Sequence, residues 1–252
     1  MGPPLALAIS AADPGGGLLP ADLLAFDVLG VRGAGVASAA TVHGMRQPGP
    51  VHDIPVALLR ESLEAVLEGV PPAAVKVGIL TTVPAVRAVS KALGPLPSPR
   101  VLEPGFAPRS RVRLLRSSVI DSEVRDLFPG SALVSVNLLE ASVLAGFAVR
   151  SEADAKAAAR RIQALGPSAV LVTGGCAEGA TVVDGLLDGR TWHRFESPRA
   201  DVPPACGAGD LLSAAVTAWL ATGETLPDAV SRALAFVRRA LASGWPNAPL
   251  HP

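Results

Sequence analysis

Cysteine is nearly absent from this 252-residue chain. Cys176 and Cys206 are the only two, too few for a framework of disulfides. Lysine is scarce as well: Lys76, Lys91 and Lys156 are the only ones among 22 basic residues. The basic residues balance 22 acidic ones, so the formal net charge is zero. No run of Lys and Arg forms the electrostatic footprint of a nucleic-acid-binding surface. No apolar run reaches the ~18 residues that a membrane-spanning helix needs. The opening MGPPLALAIS lacks the basic flank of a signal peptide, and it reads as a first β-strand. A cytoplasmic protein with a small-molecule substrate is expected, without nucleic-acid or membrane partners.

Nearly half of the residues are hydrophobic, enough for a sizeable core. Short apolar runs at 5–10, 74–80, 100–103, 132–136 and 168–173 read as buried strands, because their length and flanking turns disfavour helices. Helical patterns lie between them. In 56–69, Leu59, Leu63, Val66 and Leu67 share a face and Gly69 suits a C-terminal stop. In 151–166, Ser151 and Asp154 form a capping-box start, and Ala155, Ala158, Ile162 and Leu165 make the stripe. The last helices are expected over 209–222 and 226–243. Strands alternating with helices imply a parallel sheet covered on both faces. The segment ATVVDGLLDGRTWHRFES reads as a hairpin turning at Asp188-Gly189, which predicts an antiparallel edge. The whole chain reads as one α/β domain, a three-layer αβα sandwich.

Ligands of open α/β sheets bind beyond the carboxyl ends of the strands, and the unusual residues fall there. After the first strand comes DPGGG, with Asp13, Gly15 and Gly16; its glycines allow close approach to a ligand or merely a surface turn. After 132–136 come Asn137 and Glu140, three apart. On a starting helix they share a face and suit a hydrated Mg²⁺, although helix caps give the same spacing. Thr173, Gly174 and Gly175 could contact a nucleotide phosphate or simply turn the chain. Then PPACGAGDLLSAAVTAWL places Asp210 where a glycine-rich turn enters an apolar helix. A carboxylate there is either a helix cap or a catalytic base beside an anion-binding helix end.

Taken in order, these segments resemble the ribokinase superfamily, and within it the hydroxymethylpyrimidine/phosphomethylpyrimidine kinases of thiamin biosynthesis. AVKVGIL is similar to that family's AVKIGML, VNLLEA to PNLPEA, VLVTGGC to VLVKGGH and FESPRAD to F.APRI.T. The resemblance implies a ribokinase-like fold and ATP-dependent phosphorylation of hydroxymethylpyrimidine or its monophosphate, with a homodimer as the expected assembly. It implies Asp210 as base and Gly207, Ala208 and Gly209 as an anion hole. Asn137, Glu140 and Glu103 would organise Mg²⁺, and Thr173, Gly174 and Gly175 would meet ATP. Asp13, Gly15, Gly16, His43, Gly78 and Leu80 would line the acceptor site.

The chain departs from the family at several of these places. Its loop is GAGD, as in sugar kinases, where most pyrimidine kinases have GTGC. Cys206 stands at the usual His, His43 at the Gln of TAQN, Glu103 at the Asp of DPV and Thr173 at the Lys of VKGG. A pyridoxal or sugar kinase, and a non-catalytic pyrimidine-binding relative, remain the alternatives.

Overall fold

The computed structural model describes residues 2–14, 17–41, 50–106, 115–174, 179–199, 207–245 and 250–251. The first strand, β1 (Leu5–Ala12), lies inside the sheet. It pairs in parallel with β2 (Arg32–Thr41) on one side and with β4 (Ala74–Val77) on the other. Beyond β4 come β5 (Arg100–Leu102), β6 (Leu133–Asn137) and β7 (Ala169–Thr173), all parallel. Two antiparallel strands, β8 (Thr181–Asp188) and β9 (Thr191–Pro198), close that end. At the other end a short antiparallel strand, β3 (Val51–Asp53), pairs with β2. The order is β3-β2-β1-β4-β5-β6-β7-β8-β9. Chain progression therefore reverses direction between β1 and β4, and the crevice above that point is where a doubly wound sheet takes its ligand.

Successive residues of a strand face opposite sides of the sheet, and both sides are apolar here. Leu7 and Ile9 join one core with Leu59 and Leu63 of α2 (Val56–Leu67) and Val86 and Val89 of α3 (Val83–Leu93). The same core takes in α4 (Ser117–Asp126), α5 (Leu138–Ala145) and α6 (Glu152–Gln163). Ala6 and Ala8 join the opposite core, with α1 (Leu19–Val28), α7 (Ala208–Ala221) and α8 (Leu226–Ala242). Alanine dominates that second interface, so α7 can lie close to the middle of the sheet.

The expected sandwich is present, with three differences of detail. First, β2 has no apolar run to announce it. It is built from RGAGVASAAT because α1 packs tightly across it: a Cβ on Gly33 would come within 3.1 Å of Leu23, and one on Gly35 within 3.1 Å of Leu19. Second, β4 stops at Val77 rather than continuing to residue 80. Gly78 donates to Ile9 O at 2.8 Å, and the Ile79 carbonyl leaves the ladder to accept the Ser38 hydroxyl at 2.6 Å. Third, the β8–β9 loop consists of Gly189 and Arg190, with Asp188 paired to Thr191, one residue later than the expected turn. Gly189 has φ 54°, a conformation that suits glycine. Among the described residues, no helix is long and apolar enough to cross a membrane.

Candidate active site

Helix α7 begins at the carboxyl ends of the central strands. Its N-cap, Gly207, has φ 84°, a left-handed conformation that a side chain would strain. Gly209 is glycine for a different reason: a Cβ there would sit 2.3 Å from Glu103 Oε1. The Glu103 carboxyl therefore lies directly against the first turn of α7. The orphan N–H groups of such a turn attract anions.

Asp210 is the third residue of α7 and not its cap. Among the described residues, its carboxylate has one partner, the Lys76 ammonium 3.5 Å away. Lys76 rises from the middle of β4 and is fully buried. It forms a close ion pair with Asp22 of α1, which is equally buried. It also donates to the Asp210 main-chain oxygen at 3.2 Å and lies 3.5 Å from Glu103 Oε2. Ser213, one turn along α7 from Gly209, donates to Glu103 Oε2 at 2.6 Å. Three carboxylates and one hydroxyl from α1, α7 and the end of β5 thus converge around a single ammonium.

Burial works against the Lys76 charge. The fields of Asp22, Asp210 and Glu103 outweigh it and hold the lysine above its ordinary pKa. Glu103 is pushed up to about 7, by burial first and then by Asp210, with Lys76 and the Ser213 hydrogen bond opposing.

Asn137 and Glu140 form a reciprocal cap on α5. Asn137 Oδ1 accepts from Leu139 N at 2.9 Å and Glu140 N at 3.0 Å, while Glu140 Oε2 accepts from Asn137 N at 3.1 Å. Asn137 therefore serves as the cap that fixes Glu140, the second of the two readings that the spacing allowed. Behind Glu140 lies the buried Glu123. Burial and the charge of Glu140 push that carboxyl well above its ordinary range. Among the described residues no group of three His, Cys, Asp or Glu side chains is placed to hold a metal ion alone. Glu140 and Glu103 each carry carboxylate oxygens, the donor type that Mg²⁺ takes.

At the end of β7, a Cβ on Gly174 would lie 2.0 Å from Val183 O, and the Gly174 N–H donates to the buried Asp184 at 2.8 Å. Burial raises the Asp184 pKa, against the Gly174 N–H and the charge of Arg238. The Thr173 hydroxyl points to Val136 O at 3.4 Å.

In the first loop, Asp13 Oδ2 would meet a Cβ on Gly17 at 3.1 Å, and the Gly17 Cα lies 3.8 Å from the position of a Cβ on Gly207. The first loop therefore reaches the start of α7. Gly78 is glycine because a Cβ would lie 2.5 Å from Ser10 Oγ. Leu80 is fully buried in the core with α2 and α3, so it packs there and does not line an accessible pocket as expected. Gly15, Gly16, His43, Gly175, Cys176 and Cys206 lie outside the described residues.

Sequence reasoning missed Lys76, Asp22, Ser213 and Asp184. A signal existed for the first: AVKVGIL sets one lysine inside a strand that otherwise reads as buried on both faces.

Comparison with known proteins follows the same lines. The family profile described as phosphomethylpyrimidine kinase matches residues 13–249. The hydroxymethylpyrimidine/phosphomethylpyrimidine kinase of Streptomyces coelicolor is 34% identical over 97% of this chain and 91% of its own length. An ADP complex of Bacillus subtilis pyridoxal kinase superposes with a TM-score of 0.90 at 29% identity, covering 98% of this chain and 97% of that one. The phosphomethylpyrimidine kinase of Clostridium difficile superposes with a TM-score of 0.84 at 27% identity, covering 94% and 99%. With its ribokinase-like sheet and the GAGD loop at the head of α7, the chain belongs to the phosphomethylpyrimidine kinase family, whose members are phosphotransferases.

Proposed function

We propose that this protein phosphorylates 4-amino-5-hydroxymethyl-2-methylpyrimidine, or its monophosphate, at the expense of ATP. One observation carries the mechanism: Asp210 stands in the first turn of α7, at the switch point of the sheet, with Lys76 as the one partner of its carboxylate among the described residues. A base there can take the proton of an acceptor hydroxyl as that oxygen attacks the γ-phosphorus of ATP. The bond from the γ-phosphorus to the β–γ bridging oxygen breaks, and ADP leaves. The amides of 207–209 face the charge that develops on the transferring group, and positioning of this kind supplies most of the catalysis in phosphoryl transfer. Thr173 and Gly174, with Gly175, are the proposed nucleotide contacts. Mg²⁺ held by Glu140 and Glu103 would neutralise phosphate charge.

A flat heteroaromatic acceptor suits a site whose first loop offers glycine backbone and one carboxylate, Asp13. A sugar would need a polar partner for each hydroxyl. His43, with a donor and an acceptor on its ring, is the proposed reader of the pyrimidine edge. Pyridoxal is the second acceptor to consider, because the pyridoxal kinase of B. subtilis superposes over 98% of this chain. Steady-state assays with hydroxymethylpyrimidine, its monophosphate, pyridoxal and ribose test the proposal. Pyrimidine turnover with the highest kcat/KM supports it, and turnover of pyridoxal or ribose alone refutes the acceptor assignment.

A further inference from the structure

The geometry points to Lys76 as a positioning residue for the base, holding Asp210 by its main-chain oxygen and its carboxylate at once. This rests on the reading of Asp210 as base. Lys76 is the one fully buried cation among the described residues. On that side of the sheet its cross-strand partners are Ala8 on β1 and Val101 on β5, and Ala74 lies two residues back on β4. They leave room for the ammonium to reach α1 and α7.

An ammonium has three N–H donors. One goes to Asp22 Oδ1 and one to the Asp210 carbonyl oxygen at 3.2 Å. The third is left for the two carboxylate oxygens 3.5 Å away, Asp210 Oδ1 and Glu103 Oε2. Ser213 also lies 3.1 Å from the Asp210 carbonyl, but its single proton has a shorter acceptor in Glu103 at 2.6 Å. Within α7 the Asp210 carbonyl also serves the helical ladder, and Lys76 adds the tertiary donor that ties this turn to the strand beneath it.

Were the lysine present only to neutralise Asp22, a single contact would suffice. Two contacts on one residue, from the strand beneath it to the helix above, fix where the Asp210 carboxylate points. Lys76 is completely covered, so it meets neither substrate and acts through Asp210 alone.

The test separates this role from plain stability. Lys76→Met alone would strand Asp22 in the core, so the informative variant is the double one, Lys76→Met with Asp22→Leu, which removes both charges. We expect it to fold, to bind ADP by calorimetry as the parent does, and to keep KM for ATP and acceptor within about threefold. Its kcat should fall about 10- to 100-fold, the usual cost of a misplaced catalytic group. Asp22→Asn, which leaves Lys76 on Asp210, should melt earlier and lose less kcat per folded molecule than the double variant does. If the double variant does not fold, Lys76→Gln with Asp22→Asn takes its place, with the same expected loss. Parental kcat in the double variant, or an Asp22→Asn loss as large as the double variant's, overturns the proposal. So does a crystal structure of that variant with the Asp210 carboxylate unmoved. If the parent phosphorylates no acceptor, the functional reading fails, and the crystallographic comparison still decides whether Lys76 holds Asp210.

Discussion

Asp210→Asn keeps the shape of the side chain and removes its basicity. Loss of a general base costs roughly 10²–10⁴-fold, so we predict kcat at least about 10²-fold lower, with ADP affinity and melting temperature little changed. Stability falling while turnover survives would make Asp210 a structural residue. Glu103 gives a pH signature. Its pKa rises from 4.5 to about 7 on folding, so between those values the native protein holds a proton that the unfolded chain has released. Stability therefore falls as pH rises through that window and levels off above it. At about 1.4 kcal/mol per pH unit this amounts to at most a few kcal/mol, tempered by the 15% exposure that the side chain keeps. Urea unfolding of the parent and of Glu103→Gln, in chelator at pH 5 and pH 7, should show a shallower decline in the variant. Parallel pH profiles would contradict the assignment.

At the scale of the element, regular patterns in the sequence were the easiest to read. The stripes of α2 and α6 are direct consequences of burying one face, and they lie where the spacing puts them. Strand β2 was not legible because its residues answer to α1 rather than to strand propensity. Gly33→Val should overpack that contact and cost about 1–3 kcal/mol, read as a lower urea midpoint with kcat per folded molecule unchanged. An unaltered midpoint would mean that α1 can shift. Asn137 meets its cap reading in full, its oxygen bonded to the first turn of α5. Asn137→Ala should cost about 1 kcal/mol and, by loosening Glu140, raise the Mg²⁺ concentration for half-maximal rate. Unchanged metal dependence would leave Glu140 a purely structural residue.

For the whole molecule, local motifs located the loops, while the sheet order supplied what joins them. GAGD, Asn137–Glu140 and the glycines after β7 could be read from spacing and resemblance. The cluster that binds the catalytic loop to the sheet could not, because Asp22, Lys76, Glu103 and Ser213 are brought together only by the crossing of α1 and α7 over β4 and β5. Removing Asp22 takes from Lys76 its closest counter-ion and leaves only the two carboxylates 3.5 Å away, so Asp22→Ala should cost up to about 3–5 kcal/mol in unfolding free energy. A loss below about 1 kcal/mol would show that water reaches Lys76. The central claim is that this sheet carries a pyrimidine kinase whose base is Asp210. The most direct measurement follows ADP formation with hydroxymethylpyrimidine as acceptor, for the parent and Asp210→Asn in parallel, with phosphate transfer to the hydroxymethyl oxygen checked by ³¹P NMR. The account predicts a phosphomethylpyrimidine product for the parent and a rate lower by about 10²-fold or more in the variant. Equal rates in the two proteins, or no phosphorylated pyrimidine from the parent, would contradict it.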